Sequence, residues 1–437
     1  MSAILCLAAL LWTLSTLASL RARFDEVGNR CDKNDFACYY IYAYAMRDGV
    51  NPYTEDLRLT AHSYGLKIKA RTRTGYPPTF VLCMELLTLL TFGTAYWVWS
   101  GLNFAALLLS LYLLLRKDLE LDAKTGLSLA ALALFYQPIA VSFGWGQPHM
   151  ILLLMMVVAW LCFQQGNDRA GGLTLAFAGL LKIYPLFLVG YLLVKRRWSA
   201  IVFTALGLLI GGAATMALVG LSRTVAFAGR LPDRINGGWL ASVHQLGSPS
   251  LINLDTFISR LFWELTGTGW NGPLDWVRRL LVVLAQIALL ALTVRETATK
   301  RSGRGSDQRA FALWMAVVAL LSPTAWVHYM ILLLVPFAVL AAQAIRGQAS
   351  SSAIWLGAAS FFLVILSVPP DFLVSLPPHF SLLDYSVSFF TILAAILPRW
   401  LLRLLTDNWF FALTILAYAS VYRLTTGSTT AEVVSGR

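Results

Sequence analysis

Residues 199–220 read SAIVFTALGLLIGGAATMALVG, a run without a single charge, entered from Lys195-Arg196-Arg197-Trp198. About 20 apolar residues in a helix cross a bilayer. Lipid offers no partner to a stray backbone group, so a spanning segment must satisfy itself as a helix. Similar runs recur along the chain, near 3–20, 94–115, 125–145, 148–165, 279–295, 310–326, 328–345, 352–369, 383–402 and 408–423. The stretch 170–194 is apolar but interrupted by Lys182, Tyr184 and Pro185, and reads as two short helices meeting inside the membrane. The stretch 78–93 follows Tyr76-Pro77-Pro78 and suits an interfacial helix as well as a span. The fold class is therefore all-α, a polytopic transmembrane helical protein with about 11–13 spans.

Composition agrees. Of 437 residues, 58% are hydrophobic and 13% charged, where soluble domains are nearer half and a quarter. Mean hydropathy is +0.67. The 15 Trp, 16 Tyr and 24 Phe suit anchoring at two membrane interfaces. A net charge of +12 would suggest nucleic acid in a soluble protein. Here it points to cytoplasmic loops and to anionic lipid or phosphate, with no nucleic-acid partner. The run Ala3 to Leu20 has no preceding basic residue and no small-residue cleavage site, and reads as a retained first span.

Short basic loops at Arg116-Lys117, Lys195-Arg196-Arg197, Arg295 to Arg309, Arg346, and Arg399 with Arg403 fall on one side if the N-terminus is cytoplasmic. That orientation puts two long loops, near 21–76 and 221–278, on the extracytoplasmic side. Residues 1–425 then form one transmembrane domain, and 426–437 a polar tail. Cys6, Cys83 and Cys162 read as small hydrophobes. Cys31 and Cys38 share the first outer loop and could pair there, although no second pair supports a disulfide framework.

No P-loop, dinucleotide fingerprint, nucleophile elbow or zinc spacing occurs, so no metal site is expected. The chemistry-bearing residues gather instead at the outer ends of helices. Asp32 and Asp35 follow the first span; a carboxylate there can act as a general base. Asn34 or Asp35 can equally cap a helix over Phe36, Tyr39, Tyr40, Ala43, Tyr44 and Met46, whose spacing suits an amphipathic helix lying on the membrane. Gly144 to His149 forms a tight turn in which Gln147 and His149 can hydrogen-bond a phosphate or sugar, or simply close a hairpin. Lys182 inside an apolar stretch costs a few kcal/mol and needs a partner, a lipid phosphate or a buried carboxylate. Pro323 breaks a span next to Trp326 and His328, which suit either a phosphate site or an aromatic belt. In the second loop Arg223, Arg230, Arg234, His244 and Arg260 read mostly as solvated.

Taken in order, these pieces resemble glycosyltransferase family 87, the polyprenyl-phosphate-mannose-dependent α-mannosyltransferases of the GT-C superfamily. The matching pieces are Asp35 with Tyr39-Tyr40 and Gly49-Val50-Asn51-Pro52-Tyr53; Tyr76-Pro77-Pro78; Gly146-Gln147; Lys182 with Pro185, ahead of Lys195-Arg196-Arg197-Trp198; and Ser322-Pro323 with Trp326 and His328. The likeness covers roughly residues 30–335. The chain carries Pro148-His149 where the family turn has Asn, and its C-terminal third offers no matching motif.

The resemblance implies a GT-C fold with a cavity open to the outer leaflet of the plasma membrane. It implies a polyprenyl-phosphate sugar donor, most simply mannose, a glycolipid or glycan acceptor, inversion at the anomeric carbon, and no cofactor beyond the lipid-linked substrate. Asp35 would be the base. Lys182 and His328 would hold the donor phosphate, while Tyr39, Tyr40, Tyr76, Gln147, His149 and Trp326 would line the cavity. The competing reading is a secondary transporter or lipid flippase, which the broken helix and Lys182 would suit. Against it, span spacing shows no two-fold repetition, and the polar residues sit at helix ends rather than at the midplane.

Overall fold

The computed structural model describes residues 2–31, 33–68, 74–232, 250–267, 272–298, 303–366 and 408–434. Asp32, Arg234, His244 and the expected span 383–402 with its basic residues Arg399 and Arg403 lie outside them. Among the described residues the structure is helical, with two isolated bridges and no strand. In chain order the helices are α1 (Ser2–Val27), α2 (Asp35–Arg47), α3 (Arg58–Ser63), α4 (Pro78–Glu85), α5 (Phe92–Tyr112), α6 (Ala123–Ala133), α7 (Gln137–Trp145), α8 (His149–Gln164) and α9 (Asp168–Leu181). There follow α10 (Leu188–Val194), α11 (Trp198–Val219), α12 (Leu221–Ala228), α13 (Leu254–Thr266), α14 (Asp275–Ala298), α15 (Arg304–Leu321), α16 (Leu334–Ile345), α17 (Ser351–Leu366) and α18 (Trp409–Val434).

Five helical stretches among the described residues are long and apolar enough to cross a membrane: Ala3–Glu26, Phe92–Asp118, Trp198–Val219, Asp275–Ala298 and Val327–Ile345. A sixth is α6 with α7, bent by 57° at the break, where Pro138 cannot donate a helical hydrogen bond. Shorter apolar helices occupy the expected spans near 148–165, 352–369 and 408–423. Three of the long stretches bury little of themselves, 17%, 11% and 22% of the most apolar window for α1, α11 and α14. Apolar helices left uncovered by protein need lipid as their solvent, so this is an all-α polytopic membrane protein.

The chain divides into two compact units. In the unit formed by Leu10–Asp118 and Ala140–Pro232, α9 packs along α11 and α8, and α5 along α8. Small residues set the α9–α11 approach. A Cβ on Gly172 would press on the Ala200 carbonyl and lie 3.0 Å from the Thr204 nitrogen; one on Gly207 would lie 2.7 Å from Ala176 Cβ. Close backbone approach at small residues is how helices associate in lipid. The expected break after α9 is present: Lys182 leaves the helix in an extended conformation and Tyr184–Phe187 forms a 3-10 turn ahead of α10.

Helix α2 is not the membrane-surface helix its spacing suggested, since every residue from Phe36 to Met46 is buried. Its covering comes from distant chain: α4 packs along it, and the rings of Phe92, Tyr96 and Trp99 meet Phe36. Tyr64 stacks on Tyr44 at 3.6 Å.

The other unit comprises Met1–Ala9, Leu119–Ile139 and Asp233–Arg437. Its centre is α15, buried without interruption from Ala310 to Leu320, as a helix apolar all round must be. Helix α17 packs along α18, and α18 continues to Val434, through the stretch expected as a polar tail. Ser250 and Ile252 pair by backbone hydrogen bonds with Val327 and Ala325, each under 3 Å. Arg278 is buried between Asp255 and Asp275 at 3.0 and 2.7 Å. Arg260, read as solvated, is buried and donates to Asn408 Oδ1 at 3.1 Å.

The glycine contacts generate a stability prediction. Gly172→Leu forces α9 from α11 and destabilises by about 1–3 kcal/mol or more, read as a lower thermal midpoint in detergent. Gly212→Leu, in α11 with open space around its Cβ position, leaves the midpoint unchanged within about 0.5 kcal/mol.

Candidate active site

The site begins at the entry to α2. Asn34 is the cap: its side-chain oxygen accepts from the Phe36 amide at 3.0 Å. Asp35 is thereby released from capping and stands in the first turn, where the helix dipole favours a carboxylate. Cys31 and Cys38 form a disulfide around it, a pairing that one cysteine pair in one loop could not establish from sequence. The Cys31 amide donates to Lys67 O at 2.8 Å, which ties the same loop to a second segment.

The second component is the turn between α7 and α8. Gly146 adopts φ +66°, and a Cβ there would lie 2.5 Å from Phe36 Cβ. Glycine thus answers two needs, a left-handed backbone and close approach to α2. Trp99 Nε1 donates to Gly146 O at 2.7 Å, and Tyr96 Oη to Phe143 O at 3.1 Å. The fixed turn presents the buried Gln147, whose Nε2 donates to Asp35 Oδ2. A carboxylate accepts only, so the amide nitrogen faces Asp35 and Oε1 faces the opposite way. There Oε1 accepts from Tyr76 Oη at 3.3 Å and Lys182 Nζ at 3.4 Å.

Lys182, at the end of α9, completes the cluster. Its Nζ lies 3.3 Å from Tyr76 Oη, 3.5 Å from His149 Nε2 and 5.0 Å from the centre of the Tyr76 ring. Tyr76 Oη is 2.6 Å from Tyr39 Oη, and His149 is fully buried with its ring stacked on Tyr184 at 5.6 Å. Asp35, Tyr39, Tyr76, Gln147, His149 and Lys182 therefore form one hydrogen-bonded group. Asp35, Tyr76 and Lys182 each keep some accessible surface. Burial pushes the Asp35 carboxyl up to about 6, against the pull of Lys182, the Gln147 hydrogen bond and Arg23. A carboxyl poised there is ionised at neutral pH and basic enough to take a proton.

Tyr40 is not in this group. Its hydroxyl donates to Leu90 O at 2.5 Å and its ring packs on Tyr44 and Phe92, so it secures α2 rather than lining the site. His328 and Trp326 belong to the other unit, where α15 ends at Leu321 just before Pro323. His328 is buried there in the 3-10 turn Val327–Leu333 beside the ring of Tyr329, and Trp326 is half-buried at the start of that turn. Arg230 donates to Tyr53 O and Thr74 O, both at 3.2 Å, bracing the strand of chain that leads to Tyr76. Sequence reasoning missed Arg23 and the pinning aromatics Tyr96 and Trp99. For Arg23 the available signal was a basic residue just beyond an apolar run, which reads equally as an interfacial anchor.

The profile of glycosyltransferase family 87 matches residues 74–323. No curated protein matches the chain, and no solved structure does. The match takes in Tyr76, Gln147, His149 and Lys182, and extends over more than half of the 437 residues. With a helical membrane body and a carboxylate-to-cation cluster, the chain belongs to glycosyltransferase family 87.

Proposed function

We propose that this glycosyltransferase transfers a hexose, most simply mannose, from a polyprenyl-phosphate donor to a glycolipid or glycan acceptor at the extracytoplasmic face of the plasma membrane. The observation that carries the reading is the continuous link Asp35–Gln147–Lys182, which holds a proton acceptor and a cation at opposite ends of one amide. Transfer from a sugar phosphate needs both. As the acceptor oxygen attacks the anomeric carbon, its proton passes to the Asp35 carboxylate. The bond from the anomeric carbon to the phosphate oxygen breaks, and the lipid phosphate leaves with the added negative charge. Lys182 faces that charge, and a fixed cation away from bulk water stabilises a leaving phosphate better than a solvated one does. Attack opposite the leaving group inverts the anomeric centre.

Three further features support the reading. The raised Asp35 carboxyl suits a base that works near neutral pH. The disulfide beside it suits an oxidising, extracytoplasmic compartment. Tyr39 and Tyr76 offer hydroxyls and ring faces next to both charged groups, as a sugar requires.

The decisive assay is transfer of label from radiolabelled polyprenyl-phosphate mannose by the protein in lipid, with envelope glycolipid extract as acceptor. Asp35→Asn lowers turnover by about 10²–10⁴-fold, with protein yield and donor binding close to wild type. Normal turnover in that variant removes Asp35 from the mechanism. Label transfer from a different polyprenyl-phosphate sugar, and none from mannose, keeps the reaction and changes the sugar.

Lys182→Ala weakens donor binding by roughly tenfold or more, since a hydrogen bond to a charged group contributes about 1.5–3 kcal/mol. Unchanged donor affinity in that variant places the phosphate elsewhere.

The rate also depends on pH. Asp35 accepts a proton only when ionised, so kcat/KM falls by about tenfold per pH unit below an acid limb near 6. Lys182 lowers the Asp35 value, so Lys182→Ala moves the limb to higher pH. An acid limb that stays in place rules out charge coupling between the two.

A further inference from the structure

Arg23 lies near the C-terminal end of α1, one turn before its last residue Val27, buried with 3% of its surface accessible. Its two terminal nitrogens reach two separate segments of chain. Nη2 donates to Lys33 O at 2.8 Å, in the loop that delivers Asp35, and Nη1 donates to Gly144 O, in the turn that delivers Gln147. The guanidinium also stacks over the Trp145 ring at 5.6 Å.

We propose that Arg23 is a positioning residue for the reaction: it clamps the Asp35 loop to the Gln147 turn and thereby sets the geometry of the carboxylate–amide contact. The inference rests on the reading of Asp35 as the base.

The argument is one of geometry and cost. Asp35 and Gln147 sit on segments more than a hundred residues apart, and their contact survives only if the two backbones keep a fixed spacing. Gly146 shows how tight that spacing is, because a single Cβ would collide with Phe36. Both carbonyls that Arg23 binds stand within three residues of the side chains that meet. A buried guanidinium is expensive to desolvate, and an apolar residue would complete the end of a spanning helix more cheaply. What only arginine offers is a rigid planar fork that can hold two acceptors at once. The same charge faces Asp35 alongside Lys182, with Gln147 bonded to the carboxylate and Tyr39 beside it, so Arg23 helps keep the base ionised.

The test compares Arg23→Lys and Arg23→Met with wild type and Asp35→Asn. All are purified in lipid and assayed with radiolabelled polyprenyl-phosphate mannose across pH. Arg23→Lys keeps the charge and loses the fork: kcat falls about tenfold or more, the donor KM stays within about threefold, and the acid limb does not move. Arg23→Met loses both, so kcat falls and the acid limb moves to higher pH. A purely structural role would lower the yield of folded protein and leave the kcat and acid limb of the folded fraction unchanged. Both folded variants turning over within about twofold of wild type, while Asp35→Asn is inactive, overturns the positioning role alone. Full turnover in Asp35→Asn overturns the base assignment and the positioning role with it. If Arg23→Met does not fold, Arg23→Lys decides by its kcat.

Discussion

A carboxylate surrounded by protein stays ionised only if charge or hydrogen bonds replace the water it has lost. Asp35 receives a direct amide hydrogen bond from Gln147 and the fields of Lys182 and Arg23. Burial nevertheless wins in part, leaving the carboxyl near 6 rather than at its ordinary value. That imbalance is useful. A fully compensated carboxylate would be too weak a base for a hydroxyl proton, and an uncompensated one would be protonated and inert at neutral pH. Much of the surrounding structure reads as the means of holding this balance. The cap on α2 is Asn34, so Asp35 is spared local bonds. The turn at Gly146 is anchored by Trp99, Tyr96 and Arg23 rather than by its own residues alone.

The same need explains why the helix carrying Lys182 is broken. In a continuous helix the lysine would extend from a cylinder whose backbone bonds are all internal. Leaving the helix in an extended conformation at residue 182, with Pro185 preventing immediate continuation, puts the ammonium group among Tyr76, Gln147 and His149. The close α9–α11 packing through Gly172 and Gly207 then holds the helix whose end is being used. Packing at small residues and chemistry at a helix terminus are thus two uses of one element.

How much of this was legible in the sequence follows from what is local and what is not. Apolar runs are local, so the membrane class and the helix positions could be read directly, including the break at Lys182 to Pro185. Polar residues at helix ends are also local, which is why Asp35, Gln147 and Lys182 could be singled out before their contacts were known. Direction on a helix is harder. Tyr39 and Tyr40 are neighbours in sequence but about 100° apart around α2. Tyr39 reaches Tyr76, and Tyr40 reaches Leu90. The burial of α2 on all sides was not legible, because its cover comes from α4, α5 and Tyr64. The Cys31–Cys38 bond was hidden for want of a framework, and Arg23 because its two acceptors lie 10 and 121 residues away.

These non-local features share a logic. Asp35 must meet Gln147 across more than a hundred residues of chain. One covalent bond, one glycine contact and one arginine fork act on that single junction from different sides. Each constrains a different freedom: the disulfide closes the loop around Asp35, Gly146 lets the backbones touch, and Arg23 fixes their separation. A hydrogen bond between two flexible loops would be worth little after the entropy of ordering them. Between two segments already fixed, it can set the protonation state of a base.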